Sequence, residues 1–170
     1  MNNIYLIGMM GSGKTATGKK LVSLLRCSFV DVDESIQQKT GRTIVELFEK
    51  EGEGYFRNQE SKVLDEISKI NPCVVATGGG TVLRRENISL MRRTGKTVFL
   101  DTSLDVLWER VKVKRDRPLL KGANPRENLA RLFDERKTFY EGASDFRVKT
   151  DAETPDRVAR AILEWLEKKQ

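Results

Sequence analysis

The sequence predicts a doubly wound α/β fold in a single domain, and three observations carry that prediction. Short apolar runs alternate along the chain with helix-period segments, the pattern of strands joined by crossover helices. The first strand and helix are joined by Gly8-Met9-Met10-Gly11-Ser12-Gly13-Lys14-Thr15, a full match to the phosphate-loop pattern G-x-x-x-x-G-K-[ST]. The 170 residues contain no repeat, no low-complexity tract and no interdomain linker.

Each element has a local reason. Ile4-Tyr5-Leu6-Ile7 is an apolar run of strand length, and Lys14 to Leu25 continues from the loop as a helix. Ser28-Phe29-Val30-Asp31 reads as the second strand. Thr43 and Glu46 stand at capping-box spacing and predict a helix from Thr43 to about Glu51. A longer helix is expected from about Gly54 to Ile70, broken by Pro72. Cys73-Val74-Val75-Ala76-Thr77 is a third, very apolar strand that runs into Gly78-Gly79-Gly80. A helix over Glu86 to Arg93 ends near Gly95, and Thr97-Val98-Phe99-Leu100 is the fourth strand. The next helix runs from about Ser103 to Lys114. Arg115 to Gly122 is polar, basic and broken by Pro118 and Gly122, and is expected to be a mobile loop. Arg126 to about Glu141 is helical, and Phe146-Arg147-Val148 is a short last strand. Thr154 caps the final helix with Pro155 at its first position, and Val158, Ile162, Trp165 and Leu166 form its apolar stripe.

Composition narrows the function. Hydrophobic residues make up 38% and charged residues 33%, which suits a globular chain with a core and argues against disorder. A net charge of +6 fits polyphosphates, acidic metabolites or nucleic acid without choosing among them. No apolar run approaches the ~20 residues of a membrane span. The chain enters a strand almost at once, so no leader is expected and a cytoplasmic location is. Cys27 and Cys73 form no CxxC pair and read as two reduced thiols in or near the core. There is no histidine, which excludes a histidine base, a Ser-His-Asp triad and histidine-bound zinc. A general base must be a carboxylate, a lysine or a tyrosine.

The loop motif implies a nucleoside triphosphate. Its glycines let the loop curl so that its backbone N–H groups face inward towards an anion, and the helix N-terminus adds partial positive charge. Lys14 should reach the β- and γ-phosphates, and the Thr15 hydroxyl should ligate Mg²⁺. Asp31 and Asp33 are two apart at the end of a strand, and in an extended segment both face one cleft. One carboxylate can then hold Mg²⁺ through water and the other an acceptor hydroxyl; a helix-start aspartate beside a solvated turn is the alternative. Gly78, Gly79 and Gly80 imply close approach to the main chain, or a plain turn. Arg57 with Glu60 reads as a surface ion pair or as an arginine aimed at an anion, and Arg136 taken alone reads as a solvated charge. The cations from Arg110 to Lys121 form either a disordered loop or a lid over phosphates.

Taken together these positions resemble the shikimate kinases over nearly the whole chain. The landmarks occur in order: GMMGSGKT at 8–15, DVD at 31–33, FRNQE at 56–60, TGGG at 77–80, RDRPLL at 115–120 and ERKTFY at 135–140. The resemblance implies a five-stranded parallel sheet flanked by helices, a P-loop NTPase fold of the nucleoside-monophosphate-kinase type. It divides the single domain into a core (1–32, 62–111, 125–170), an acceptor-binding subdomain (33–61) and a lid (112–124). The implied reaction is ATP-dependent phosphorylation of the 3-hydroxyl of shikimate, a step towards the aromatic amino acids. Its implied catalytic residues are Lys14, Asp33 and Arg117. ATP would be bound by Gly11, Ser12, Gly13, Lys14, Thr15, Ala16, Arg110, Arg117 and Pro155, with Arg110 and Pro155 at the adenine. Shikimate would be held by Asp33, Arg57, Gly78, Gly79, Gly80 and Arg136, and Mg²⁺ by Thr15 and, through water, Asp31. The implied state is a monomer without nucleic-acid or membrane partners.

Two departures from the family pattern stand out. Lys137, Thr138 and Phe139 replace the small residue, Pro and Leu common before Tyr140, and Ala152-Glu153 stands where some members carry an adenine-side arginine. A gluconate-type kinase, a nucleic-acid-binding NTPase and an inactive scaffold remain as rival readings. The first shares the loop and sheet, the second would explain the basic charge, and the third is weighed against by the intact catalytic positions.

Overall fold

The computed structural model describes residues 2–113 and 118–168. Its centre is a five-stranded, all-parallel sheet of β1 (Asn3–Ile7), β2 (Ser28–Asp31), β3 (Cys73–Ala76), β4 (Gly95–Asp101) and β5 (Phe146–Lys149). The spatial order is β2-β3-β1-β4-β5. Register runs Leu6 to Ala76 on one side of β1 and Leu6 to Val98 on the other. Around the sheet lie α1 (Lys14–Leu25), α2 (Val32–Thr40), α3 (Ile44–Ser68), α4 (Arg85–Thr94), α5 (Leu104–Val111), α6 (Pro125–Ala143) and α7 (Pro155–Glu167).

Alternation along β1 divides the core in two. Ile4 and Leu6 pack with Leu21 of α1 and with Val158 and Ile162 of α7. Tyr5 and Ile7 face the other way, onto a larger cluster with Leu64 of α3, Leu107 of α5 and Leu132 of α6. Full burial of each such side chain stabilises the fold by about 1.5–3 kcal/mol. Trp165 stacks on Phe146 at 4.9 Å, so the expected stripe of α7 does seat the helix on β5. Cys73 belongs to one cluster and Cys27 packs against the other, and both thiols are free. Burial pushes the Cys73 thiol up to about 11 and the Cys27 thiol upwards as well, which keeps both unreactive near neutral pH.

Three expectations change. The segment after β2 is a helix, α2, where the sequence reading had Asp31 and Asp33 together in an extended strand. Asp31 is its N-cap: its Oδ1 accepts from Asp33 N at 3.0 Å and from Glu34 N at 3.3 Å. Four backbone donors at a helix start need acceptors, and an aspartate at the strand end supplies one. The two helices expected on either side of Gly52 are continuous except at that residue, where φ 81° and ψ 168° break α3. Glycine tolerates this conformation and other residues rarely do. The capping box at Thr43 forms as expected, and the Thr43 N–H and hydroxyl, both donating to the Glu46 carboxylate, hold it below the usual range. The third change is in the basic segment. Residues 114–117 lie outside the described residues. Pro118–Leu120 form a 3-10 turn in which Leu120 is buried, and Lys121 pairs with Glu49 of α3. This half of the loop is anchored by an apolar contact where a mobile loop was expected.

Candidate active site

Parallel strands deliver their carboxyl ends to one edge, and that is where an α/β sheet opens to ligands. Here the edge carries a cavity of about 810 Å³. Gly11, Gly13, Lys14, Thr15 and Ala16 line one part of it, and Asp33, Arg57, Arg136 and the Gly78–Gly80 turn another. Asp31 and Arg110 also face it.

The loop after β1 wraps over the start of α1. Lys14 is the first residue of that helix, and its Nζ donates to Gly8 O at 2.7 Å and Met9 O at 2.9 Å. Ser12 is buried, donates its N–H to Met9 O and is not part of the cavity wall. Gly11 lies against α5, where a Cβ would stand 2.7 Å from Val111 Cγ1. Arg110 spans two segments: Nη1 donates to Gly11 O at 3.1 Å and Nη2 to Thr150 O at 2.9 Å. It therefore braces the loop against the turn that follows β5, beside whatever it does for a nucleotide. Pro155 is exposed at the start of α7, outside the cavity wall. Arg117 lies outside the described residues. Glu153 is paired with Arg157 at 3.7 Å.

Thr15 Oγ1 donates to Asp31 Oδ2 at 2.7 Å. A hydroxyl and a carboxylate in contact are the hard oxygen donors that suit Mg²⁺. Among the described residues no group of three or more metal-ligating side chains occurs. A cation here would draw its other ligands from phosphate and water, as Mg²⁺ does in nucleotide sites. The two aspartates thus separate: Asp31 faces Thr15 and caps α2, while Asp33 sits one step into the helix beside the Gly78 turn.

The opposite side is cationic and buried. Arg57 is 7% exposed; its Nη1 donates to Glu60 Oε2 at 2.9 Å and its Nη2 to Glu53 Oε1 at 3.0 Å. Burial alone would depress its pKa, but the charges of Glu60 and Glu53 outweigh burial and raise it. Glu60 is fully buried and also accepts from Thr81 Oγ1 at 2.6 Å. The surface-pair reading of Arg57 and Glu60 is thereby excluded. The glycine turn explains itself here: a Cβ on Gly78 would stand 2.2 Å from Glu60 Oε1, and one on Gly80 2.3 Å from Arg57 Nη2. Only bare backbone leaves room for the ion pair. Arg136 of α6 is 2% exposed, and its Nε has no hydrogen-bond partner. A buried guanidinium N–H left unsatisfied favours an anion arriving from the cavity. Lys137, Thr138 and Phe139 all face solvent, so their departure from the family pattern leaves the packing of Arg136 and Tyr140 untouched.

Sequence reasoning gave no role to the apolar wall of the same cavity. Ile44, Val45, Phe48, Phe56, Pro118 and Leu119 form it, with the Phe48 and Phe56 rings 4.8 Å apart across the break at Gly52. The available signal was the pair of phenylalanines on either side of a glycine inside a helix. No helix of the described residues is long and apolar enough to cross a membrane.

A phosphate loop on a parallel sheet, facing a cationic acceptor pocket across one cavity, defines a P-loop kinase for a small anionic acceptor. The family model described as shikimate kinase matches residues 10–167. A shikimate kinase from Sulfurihydrogenibium sp. (strain YO3AOP1) is 44% identical over 163 residues, covering 96% of each chain. The structure of a shikimate kinase from Acinetobacter baumannii in complex with shikimate superimposes with a TM-score of 0.97 at 36% identity, covering 100% of this chain and 95% of that one. This chain belongs to the shikimate kinase family. A gluconokinase from Sinorhizobium meliloti 1021 covers 98% of this chain and 92% of its own with a TM-score of 0.60, but at 18% identity it shares the fold alone.

Proposed function

We propose that this protein transfers the γ-phosphoryl group of ATP to the 3-hydroxyl of shikimate, giving shikimate 3-phosphate and ADP, a step in aromatic amino acid biosynthesis. The observation that carries this reading is the buried pair Arg57 and Arg136 at the far end of the cavity that the Lys14 loop enters. Two guanidinium groups suit a carboxylate, Asp33 suits a hydroxyl, and the apolar wall suits a carbocyclic ring.

In this mechanism Arg57 and Arg136 bind the acceptor carboxylate and the Gly78–Gly80 turn meets the ring hydroxyls. Asp33 holds the reacting hydroxyl and accepts its proton as the oxygen attacks the γ-phosphorus. The bond to the β-bridging oxygen breaks and charge accumulates there, facing Lys14 and the loop amides. Thr15 and, through water, Asp31 would hold Mg²⁺, which would supply positive charge against the phosphates. Arg110 and Pro155 flank the adenine, and Arg117 adds charge from the lid at 112–124, while residues 33–61 form the acceptor-binding part. The protein works as a cytoplasmic monomer.

ATP consumption is measured with shikimate, gluconate and RNA offered separately. Turnover with shikimate alone is expected; turnover with gluconate or RNA and none with shikimate overturns the reading.

Recognition of the carboxylate has its own test. A charge-assisted bond to a carboxylate contributes about 1.5–3 kcal/mol. Arg136→Ala should therefore weaken acceptor binding by about 10- to 150-fold, with ATP affinity less affected. Arg57→Ala should do the same and also lose stability, because Glu60 is left buried without its partner. Methyl esterification of shikimate separates the two effects: both substitutions should become nearly silent for binding of the ester. Equal penalties with acid and ester would mean that the arginines do not contact the carboxylate.

The glycine turn supplies another expected result. In Gly80→Ala the new methyl displaces the Arg57 guanidinium from Glu60. Acceptor KM should rise about tenfold, roughly the loss of one such bond, with ATP KM unchanged. An unaltered acceptor KM would show that the placement of Arg57 does not matter to binding.

A further inference from the structure

Tyr140 is buried to 1% exposure, and the reaction derived above gives it no part. It lies four residues after Arg136 on α6, so both side chains leave the same face of the helix. Its hydroxyl donates to Gly79 O, and Met9 Sδ of the phosphate loop lies 3.5 Å from the same oxygen. The ring stacks on Phe99 of β4 at 5.2 Å and 20°. Three segments therefore meet at one hydroxyl: the glycine turn after β3, the loop after β1, and α6.

The residue it grips is the wedge between the two halves of the cavity. A Cβ on Gly79 would stand 3.5 Å from Met10 N, 3.7 Å from Gly8 O and 3.5 Å from Arg136 Nη1. Gly79 thus lies against the phosphate loop on one side and the buried arginine on the other. A trans peptide is planar, so tying down the Gly79 carbonyl also sets the direction of the Gly80 N–H across the same plane. Glu60 and Arg57 pack under the neighbouring glycines and restrain the turn from below. The Tyr140 hydroxyl is the side-chain donor that holds the turn from α6.

The hydroxyl is a donor and not a base. Burial pushes it up to about 12, so it keeps its proton throughout the neutral range. That argues against Tyr140 itself as the base.

We propose that Tyr140 is a positioning residue for phosphoryl transfer: through the Gly79 carbonyl it sets the acceptor turn against the phosphate loop, and so sets the approach of the acceptor hydroxyl to the γ-phosphate. The proposal rests on the shikimate kinase reading above. Small displacements between reacting groups cost large factors in rate, so the effect falls on the acceptor and on kcat and spares the nucleotide.

Tyr140→Phe removes one oxygen and keeps the ring and its stack on Phe99. Four quantities are read: kcat, the Kd of shikimate, the Kd of a non-hydrolysable ATP analogue, and the thermal midpoint. Losing the partner of a carbonyl that is only partly exposed should weaken shikimate binding by about 5- to 100-fold. It should lower kcat by about 10-fold or more, with analogue affinity within about twofold. The methyl ester of shikimate should show the same fold-loss, because the route is through the turn. Para-aminophenylalanine at position 140 restores an N–H donor and should recover part of both effects. Shikimate affinity and kcat within twofold of the unaltered protein would reduce Tyr140 to core packing and overturn the proposal. Equal weakening of analogue and shikimate would overturn it as a general loosening. A loss that vanishes with the ester would overturn it in favour of action through Arg136. Shikimate turnover by the unaltered protein, read in the same assay, tests the functional reading separately.

Discussion

Lys14→Ala lowers kcat by at least about a hundredfold while the protein stays folded. Removing one preorganised donor from developing charge in a shielded site typically costs about 10²–10³ in rate, and here a full positive charge goes with it. The residue serves the site and not the core. It is half-buried at the first position of α1, and its Nζ is bonded to the carbonyls of Gly8 and Met9. Those carbonyls hold the ammonium at the mouth of the loop, where it can exchange onto phosphate oxygens. Loss of the side chain leaves the carbonyls open to water, so the thermal midpoint should move by only a few degrees, as for most substitutions outside the core. Steady-state kinetics beside a thermal melt check this. Near-normal turnover in a well-folded Lys14→Ala protein would remove the phosphate loop from the chemistry.

Asp33→Asn is expected to lower turnover by about 10²–10⁴, the usual contribution of a positioned acid or base, with ATP affinity largely kept. The geometry separates the two aspartates on which this depends. Asp31 is engaged by the Thr15 hydroxyl and by the first amides of α2, so its carboxylate is committed to the phosphate side and to the helix start. Asp33 faces the cavity one step into that helix, with its Oδ1 3.1 Å from where a Cβ on Gly78 would stand. Asparagine keeps the shape and loses the charge and the basicity. Asp31→Asn makes the contrast, because asparagine still caps a helix well. That variant should keep its fold and lose Mg²⁺-dependent nucleotide affinity. Titration of each variant with an ATP analogue and with shikimate separates the roles. If Asp33→Asn loses nucleotide affinity and keeps shikimate affinity, the two carboxylates have been assigned the wrong way round.

Much of this was legible because the signals are local. Strands such as Cys73–Ala76 are apolar runs of the right length, and the capping box of Thr43 and Glu46 forms as spaced. The glycine turn allowed either close approach or a plain turn, and the contacts of Gly78 and Gly80 with Glu60 and Arg57 decide for close approach. The helix α2 matches the alternative of a helix-start aspartate: Asp31 at its start, Val32 and Ile36 on one face, and Gly41 at its end are ordinary boundary signals. The paired aspartates drew attention to an extended spacing when a cap was the stronger local rule.

The sequence by itself determined the α/β class, the phosphate loop with Lys14 and Thr15, and the chemical types available: carboxylates, arginines and no histidine. The tertiary structure alone decided which of them meet. Arg57 and Glu60 lie under Gly78 and Gly80, Arg110 braces Gly11 against Thr150, and Tyr140 reaches Gly79 across 61 positions of chain. Leu120 finds a buried place beside α3 and α6 in a segment that looked unanchored. The physical reason is the strand order β2-β3-β1-β4-β5. Parallel crossovers bring strand ends distant in sequence to one edge of the sheet, whereas propensity, capping and periodicity act only over a few residues.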